Sequence, residues 1–281
     1  RVVKTDHLAL HEAGALFNPD WIARIEDLRV LRFMDWMKTN DSVVATWDDR
    51  PRLTDATWTV WGVPPEVMIR LANRIGADPW FTLPHKADDD YVRRFAALVR
   101  DTLDPRLKAH VEYSNEVWNF IFEQAHWARA QATEMWGEAG DGWVQFYGMR
   151  AAQVMDIWTG VFGDAADDRL VRIVATQTGW LGLEEAILTA PLWYASTGRR
   201  PVESFDAYAV TGYFGLDLSD EDRVAEVNGW LDMAEAQAER EGRAAGLTRV
   251  ALRDYIETHR FDAAVEPLAR ALRQGSLTRL I

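Results

Sequence analysis

Apolar positions along the chain follow two alternating patterns, short β-branched or aromatic runs and longer stretches at helical spacing. Five runs read as strands, at residues 29–35, 79–84, about 109–114, 170–176 and 204–211. Helical stretches separate them. Asn18-Pro19-Asp20 starts one that carries Trp21, Ile22, Ile25 and Leu28, and Pro64-Pro65-Glu66 starts another that runs through Asn73 and stops at Gly76. Residues 88–103 place Tyr91, Phe95, Leu98 and Val99 in register. A helix directly after Asn115-Glu116 would carry Phe120, Ile121, Ala125 and Ala128, and another runs from the Gly137–Gly142 break to about Phe162. Residues 183–197 are helical with an interruption at Pro191, and the chain from Ser219 to about Leu272 is helical with a break between Gly242 and Gly246. Residues 41–62, rich in Trp and Asp, read as a long loop of the kind that often carries function.

The strand runs begin plainly and end in polar and aromatic clusters: Asp35-Trp36, Pro84-His85, Asn115-Glu116, Gln177-Thr178-Gly179-Trp180 and Gly212-Tyr213. That asymmetry predicts a parallel α/β protein with its site at the C-terminal edge of the strands, built either as a (β/α)8 barrel or as an open doubly wound sheet. No Gly-x-Gly-x-x-Gly follows a strand, no phosphate-loop lysine motif occurs, and there is no Gly-x-Ser-x-Gly elbow. Dinucleotide binding, phosphate-loop chemistry and serine hydrolysis of the elbow type are therefore unsupported.

Composition narrows this further. The 281 residues suffice for one large α/β domain. A net charge of −13 is wrong for a nucleic-acid surface, which needs clustered Lys and Arg. No apolar run reaches the roughly 20 residues of a membrane span. With no cysteine there is no disulfide, thiol catalysis or thiolate metal site. Fourteen tryptophans fit a surface that stacks on sugar rings, although any single Trp is more often a packing residue.

The stretch Val111-Glu-Tyr-Ser-Asn-Glu-Val-Trp-Asn119 concentrates these signals. Its Asn-Glu pair, at the end of a strand, resembles the clan A glycoside hydrolases, retaining (β/α)8-barrel enzymes in which such a pair ends the fourth strand. The resemblance implies a TIM-barrel-like α/β fold of which strands two to six are recognisable, with residues 1–281 forming a single barrel-type catalytic domain. It implies Glu116 as general acid/base and Asn115 as donor to a sugar 2-hydroxyl. Arg32 on strand two and Tyr213 after strand six match residues that flank the clan's nucleophile. Asp35, Trp36, His85, Trp118, Gln177 and Trp180 complete the expected substrate-binding set, the tryptophans as stacking walls and His85 and Gln177 as ligands of sugar hydroxyls. No cofactor or metal is called for. The expected partner is an oligosaccharide or polysaccharide, with a secreted or periplasmic location favoured for a polysaccharide, although no signal peptide is visible in the chain. The clan's nucleophile, a Glu ending strand seven, finds no match, and the expectation is that it lies beyond residue 281.

Three alternatives stand beside this reading. Asn is a favoured N-cap and Glu is favoured in a first helical turn, so a strand-to-helix junction could use Asn115 and Glu116 for capping alone. A barrel without a nucleophile could bind carbohydrate without turning it over. A metal-dependent hydrolase could use His7, His11 and His85, although the first two lack zinc-protease spacing.

Overall fold

The computed structural model describes residues 3–210 and 221–265. The chain forms two compact units, residues 1–210 and 211–281.

The first unit is an α/β structure around one parallel sheet curled into a half-barrel. Its strands are β1 (Val30–Arg32), β2 (Asp78–Leu83), β3 (Ala109–Tyr113), β4 (Leu170–Thr176) and β5 (Ala207–Val210), and they lie side by side in chain order. Its longer helices are α3 (Pro65–Ile75), α4 (Asp89–Thr102), α5 (Glu123–Trp136) and α6 (Gly142–Phe162), after two short ones, α1 (Leu8–Glu12) and α2 (Pro19–Ile25). Between α6 and β5 lie the short helices α7 (Ala166–Arg169), α8 (Leu183–Thr189) and α9 (Pro191–Thr197).

All five strands occupy the places read from the sequence, with trimmed ends. Residues 33–35 leave the sheet in a turn, and Pro201–Ser204 form a 3-10 turn ahead of β5 rather than its first residues. A closed eight-stranded barrel is not formed: among the described residues the sheet has five strands.

Local chemistry explains the element ends. The Asn18 side chain accepts from the Asp20 backbone amide and the Asp88 side chain accepts from Tyr91, capping α2 and α4. Gly76 takes a left-handed φ of 71° as the C-cap of α3. Pro191 opens α9 after Ala190, the hinge between two short helices where one continuous stretch was interrupted in the sequence.

The core lies between the sheet and its helices. Alternation along β3 sends Ala109, Val111 and Tyr113 into this core, beside Phe81 and Leu83 of β2. Trp158 of α6 is fully buried there, stacked against Phe81 and Phe162 at centroid distances of 6.4 and 5.9 Å. Each such side chain contributes about 1.5–3 kcal/mol by leaving water. α6 approaches α8 so closely that a Cβ on Gly148 would sit 2.0 Å from the Ile187 carbonyl oxygen.

The opposite face of the sheet is polar near β1–β3. The register sets Arg32 beside Trp80, Trp80 beside His110, and Thr82 beside Glu112. Alternation therefore gathers Arg32, Trp80, His110 and Glu112 on this concave face.

In the second unit, α10 (Glu221–Ala244) and α11 (Arg249–His259) pack together. Gly242 permits the approach, since a Cβ there would lie 2.7 Å from the Leu252 side chain.

Candidate active site

β3 ends at Tyr113, and the chain then makes an irregular excursion before α5 begins at Glu123. The expected helix directly after Asn115-Glu116 is absent. The residue ahead of α5 is Phe122, so Asn115 and Glu116 cap no helix and the capping alternative falls. Of the positions expected on that helix, Phe120 and Ile121 lie in a turn ahead of α5, and Val117 and Trp118 are buried in the core from a turn as well.

The excursion has strained backbone. Ser114 and Glu116 have φ of 60° and 43°, in the left-handed region that non-glycine residues rarely enter. Lys38 and Asp41, in the loop after β1, have φ of 50° and 55°. Such strain costs about 1–3 kcal/mol per residue and persists only where surrounding contacts enforce it.

Those contacts join the two loops. Asn115, 7% exposed, accepts from the Arg32 guanidinium at 3.0 Å through Oδ1 and donates through Nδ2 to Asn40 Oδ1 at 3.0 Å. Gln124, fully buried, donates to Asn40 Oδ1 at 2.8 Å and to the Asn115 carbonyl at 2.7 Å. Its own oxygen accepts from the Asp41 amide at 3.1 Å, and Asp41 Oδ1 accepts from the Glu123 amide at 2.8 Å. Every polar atom of the Gln124 side chain is thus spent on welding the β1 loop to the β3 loop.

Beneath Asn115 lies Glu112. Its carboxylate, 2% exposed, accepts two bonds at Oε2 from Arg32, at 2.9 and 3.2 Å, and one at Oε1 at 3.1 Å. Trp80 Nε1 donates to Oε2 at 2.8 Å, and the Arg32 guanidinium lies over the Trp80 ring, 5.2 Å from its centroid. Burial pushes the Glu112 carboxyl above the usual carboxylate range, against the opposing pull of Arg32 and Trp80. Trp80 in turn stacks on His110, whose imidazole is lowered by burial against the pull of Asp78.

Glu116 sits half-buried at the C-terminal edge of the sheet, its Oε2 accepting from Asn119 Nδ2 at 2.9 Å. The Asn115 amide is therefore held at this strand end by residues about eighty positions away, Arg32 and Asn40, and the Glu116 carboxyl by Asn119, three positions on.

The other sequence-derived candidates divide sharply. Arg32, expected to flank the nucleophile, is bonded to Asn115 and Glu112. Asp35 is exposed in the turn after β1. Trp36 stacks on Trp21 at 5.9 Å and leans on Phe33, which makes it a packing residue of the β1 loop. Trp118 is 5% exposed, edge-on to Tyr147, so its ring offers no stacking wall. His85 is 1% exposed, packed edge-on against Trp127 at 5.6 Å, and burial lowers it to about 4. It is a neutral core imidazole, not a hydroxyl ligand facing solvent. Trp180 is 46% exposed beside Trp143, and Gln177 is half-buried after β4. Tyr213 lies outside the described residues.

The histidines do not assemble a metal site. His7 lies 3.2 Å from Asp20, and with His11 it lines a cavity of about 480 Å3 bordered by Phe17 and Trp58. Among the described residues no three His, Asp or Glu side chains converge in a way that could hold a metal ion. No helix among them is long and apolar enough to cross a membrane.

The sequence reading missed Glu112, Trp80, Asn40, Gln124 and Asn119. One signal was present: in β3, His110 and Glu112 alternate with apolar Ala109, Val111 and Tyr113, which aims them at the opposite face from the core. No family model matches the chain, and no curated protein or solved structure gives a significant match.

Proposed function

We propose that this chain is a glycoside hydrolase acting on a β-linked glycan, with Glu116 as general acid/base on a (β/α)8-type barrel of which the described residues form part. The observation that carries the reading is the bonding of Asn115. Its side chain serves no helix; it is held by Arg32 and Asn40, while Gln124 holds its backbone carbonyl, next in sequence to a carboxyl on strained backbone. One amide hydrogen of Nδ2 goes to Asn40, which leaves the second for a substrate hydroxyl.

In a retaining mechanism Glu116 protonates the leaving glycosidic oxygen while a second carboxylate attacks the anomeric carbon. Glu116 then deprotonates the water that releases the product. Arg32 orients the Asn115 amide through its bond to Oδ1. Glu112, the other carboxylate bonded into the network, is committed to Arg32 and Trp80 and does not take the nucleophile's part. Exposed Trp180 suits stacking on a more distant sugar.

The test is turnover of β-glucan, β-mannan and β-xylan oligosaccharides by the wild type and Glu116→Gln. Turnover lost in the variant, with binding retained, is the expected result. Activity unchanged by the substitution rejects the assignment. Glycan binding without turnover in the wild type favours the carbohydrate-binding barrel instead.

A further inference from the structure

Beside Glu116 lies a side chain whose chemistry goes further than its local structural duty. Asn119 is three residues on, in the turn between β3 and α5. Its Oδ1 accepts from the Ile121 backbone amide at 3.1 Å, an Asx turn. Its backbone amide donates to the Glu116 carbonyl at 2.8 Å, and its carbonyl accepts from Phe122 at 3.1 Å. These bonds fix which way the amide faces. The atom against the Ile121 N–H has to be the oxygen, so the atom against Glu116 Oε2, at 2.9 Å, is the NH2 group.

An Asx turn needs only a side-chain oxygen, which Asp supplies as well as Asn. What Asn adds at this position is a donor aimed at one oxygen of Glu116. A protonated carboxyl accepts through its carbonyl oxygen and donates through its hydroxyl, so an N–H on Oε2 assigns the proton to Oε1.

We propose that Asn119 is a positioning residue for Glu116, holding Oε2 so that Oε1 carries the proton delivered to the leaving group. The proposal rests on Glu116 being the acid/base. In the step itself the proton passes from Oε1 to the glycosidic oxygen, the C–O bond breaks with its electron pair going to that oxygen, and the carboxylate keeps the Asn119 bond on Oε2. That bond strengthens as negative charge develops, because hydrogen bonds to ionised acceptors are about twice as strong as neutral ones. On the return step Oε1 takes a proton from water, with Oε2 still held.

Asn119→Asp separates this role from the structural one. The aspartate keeps the oxygen that Ile121 needs but turns a carboxylate towards Glu116, drawing its proton to the wrong side. The experiment compares kcat/KM on unactivated β-linked oligosaccharides with kcat/KM on dinitrophenyl β-glycosides of the same sugars, whose leaving group needs no proton; kcat/KM covers the first bond cleavage and leaves out the return step, in which Glu116 acts as base. General-acid catalysis supplies about 10²–10⁴-fold, so a misdirected proton is expected to cost at least about 10-fold on oligosaccharides and less than about 3-fold on the activated substrates. The melting temperature should stay within about 2 °C of wild type. Asn119→Ala, which loses both the turn and the donor, should show the same substrate split with a lower melting temperature.

Equal losses on both substrate classes, or no loss on either, overturn the role of Asn119 while leaving that of Glu116 standing. A wild type inactive on both classes, or a Glu116→Gln variant as active as wild type, overturns the reading of Glu116 and this proposal with it.

Discussion

The ends of β3 and β4 begin alike in sequence, each a strand running into a polar and aromatic cluster, and they finish differently. After β3, Ser114 and Asn115 are buried, and Asn115 is bonded to Arg32 of β1, Asn40 of the loop after it and Gln124 of α5. After β4, the backbone turn closes locally, from the Trp180 amide to the Gln177 carbonyl, and Trp180 and Leu181 are 46% and 65% exposed. One loop is over-determined by long-range contacts that hold non-glycine residues in left-handed conformations. The other uses glycine for its left-handed position, Gly182 at φ 92°, and keeps its apolar side chains in water. Chemistry needs groups fixed to within a fraction of an ångström, whereas stacking on a sugar tolerates an adaptable ring. On the proposed function, the β3 end carries the reaction and the β4 end carries contact with the rest of the glycan.

Substitution can break this contrast, and the largest effect is expected at Arg32. Arg32→Ala strands the Glu112 carboxylate with Trp80 as its remaining side-chain donor and takes the donor from Asn115 Oδ1. Removing one partner of a buried pair costs about 3–5 kcal/mol, and the low end applies because the Arg32 side chain is 34% exposed. Chemical denaturation would measure the loss, and a change under about 1 kcal/mol would mean that the β3 loop is held by other means.

A smaller, pH-dependent effect is expected from Glu112→Gln. Because burial raises the folded-state carboxyl above its unfolded value, Glu112 contributes stability that is fully present below the unfolded value and is lost as pH rises through the folded one. Gln cannot ionise, so the wild type should lose stability relative to the variant as pH climbs from about 4.3 upward. Denaturation midpoints of both proteins across that range check the sign, and parallel pH profiles would contradict it.

The smallest effect on stability is expected at Trp180. Trp180→Ala removes an exposed ring and should change stability by less than about 0.5 kcal/mol while weakening oligosaccharide binding. Calorimetric titration with the oligosaccharides that the wild type binds is the check. Unchanged affinity would remove Trp180 from the substrate-contacting set.

The strands were legible because a parallel strand buried on both sides is an apolar run, and β4, Leu170–Thr176, is one apart from Arg172 and Thr176. Asn115, Glu116 and Arg32 were legible as chemistry-bearing types at strand ends. The start of α5 was not, because Phe120 and Ile121 continue the helical spacing of Ala125 and Ala128 although they lie in a turn before Glu123. Nor were the left-handed backbones of Ser114 and Glu116, since nothing local in a Ser or Glu announces positive φ; the residue between them, Asn115, is held by Asn40, 75 positions away, and by Gln124, nine positions on. Trp36 and Trp118 misled for the opposite reason. A ring beside a polar cluster looks the same in sequence whether it faces a ligand or the core.

The joint between the β1 and β3 loops also has a kinetic meaning. Arg32 meets Glu112 across 80 residues and Asn40 meets Asn115 across 75. Contacts of that separation form only after the loop-closure entropy of the intervening chain has been met, so they come late in folding. A chain with only its local helices formed has Asn115 and Glu116 in sequence but no guanidinium, no strained turn and no fixed amide around them. Assembly of the site therefore waits on the association of β1, β2 and β3, and recovery of site function during refolding should lag behind the return of helical structure.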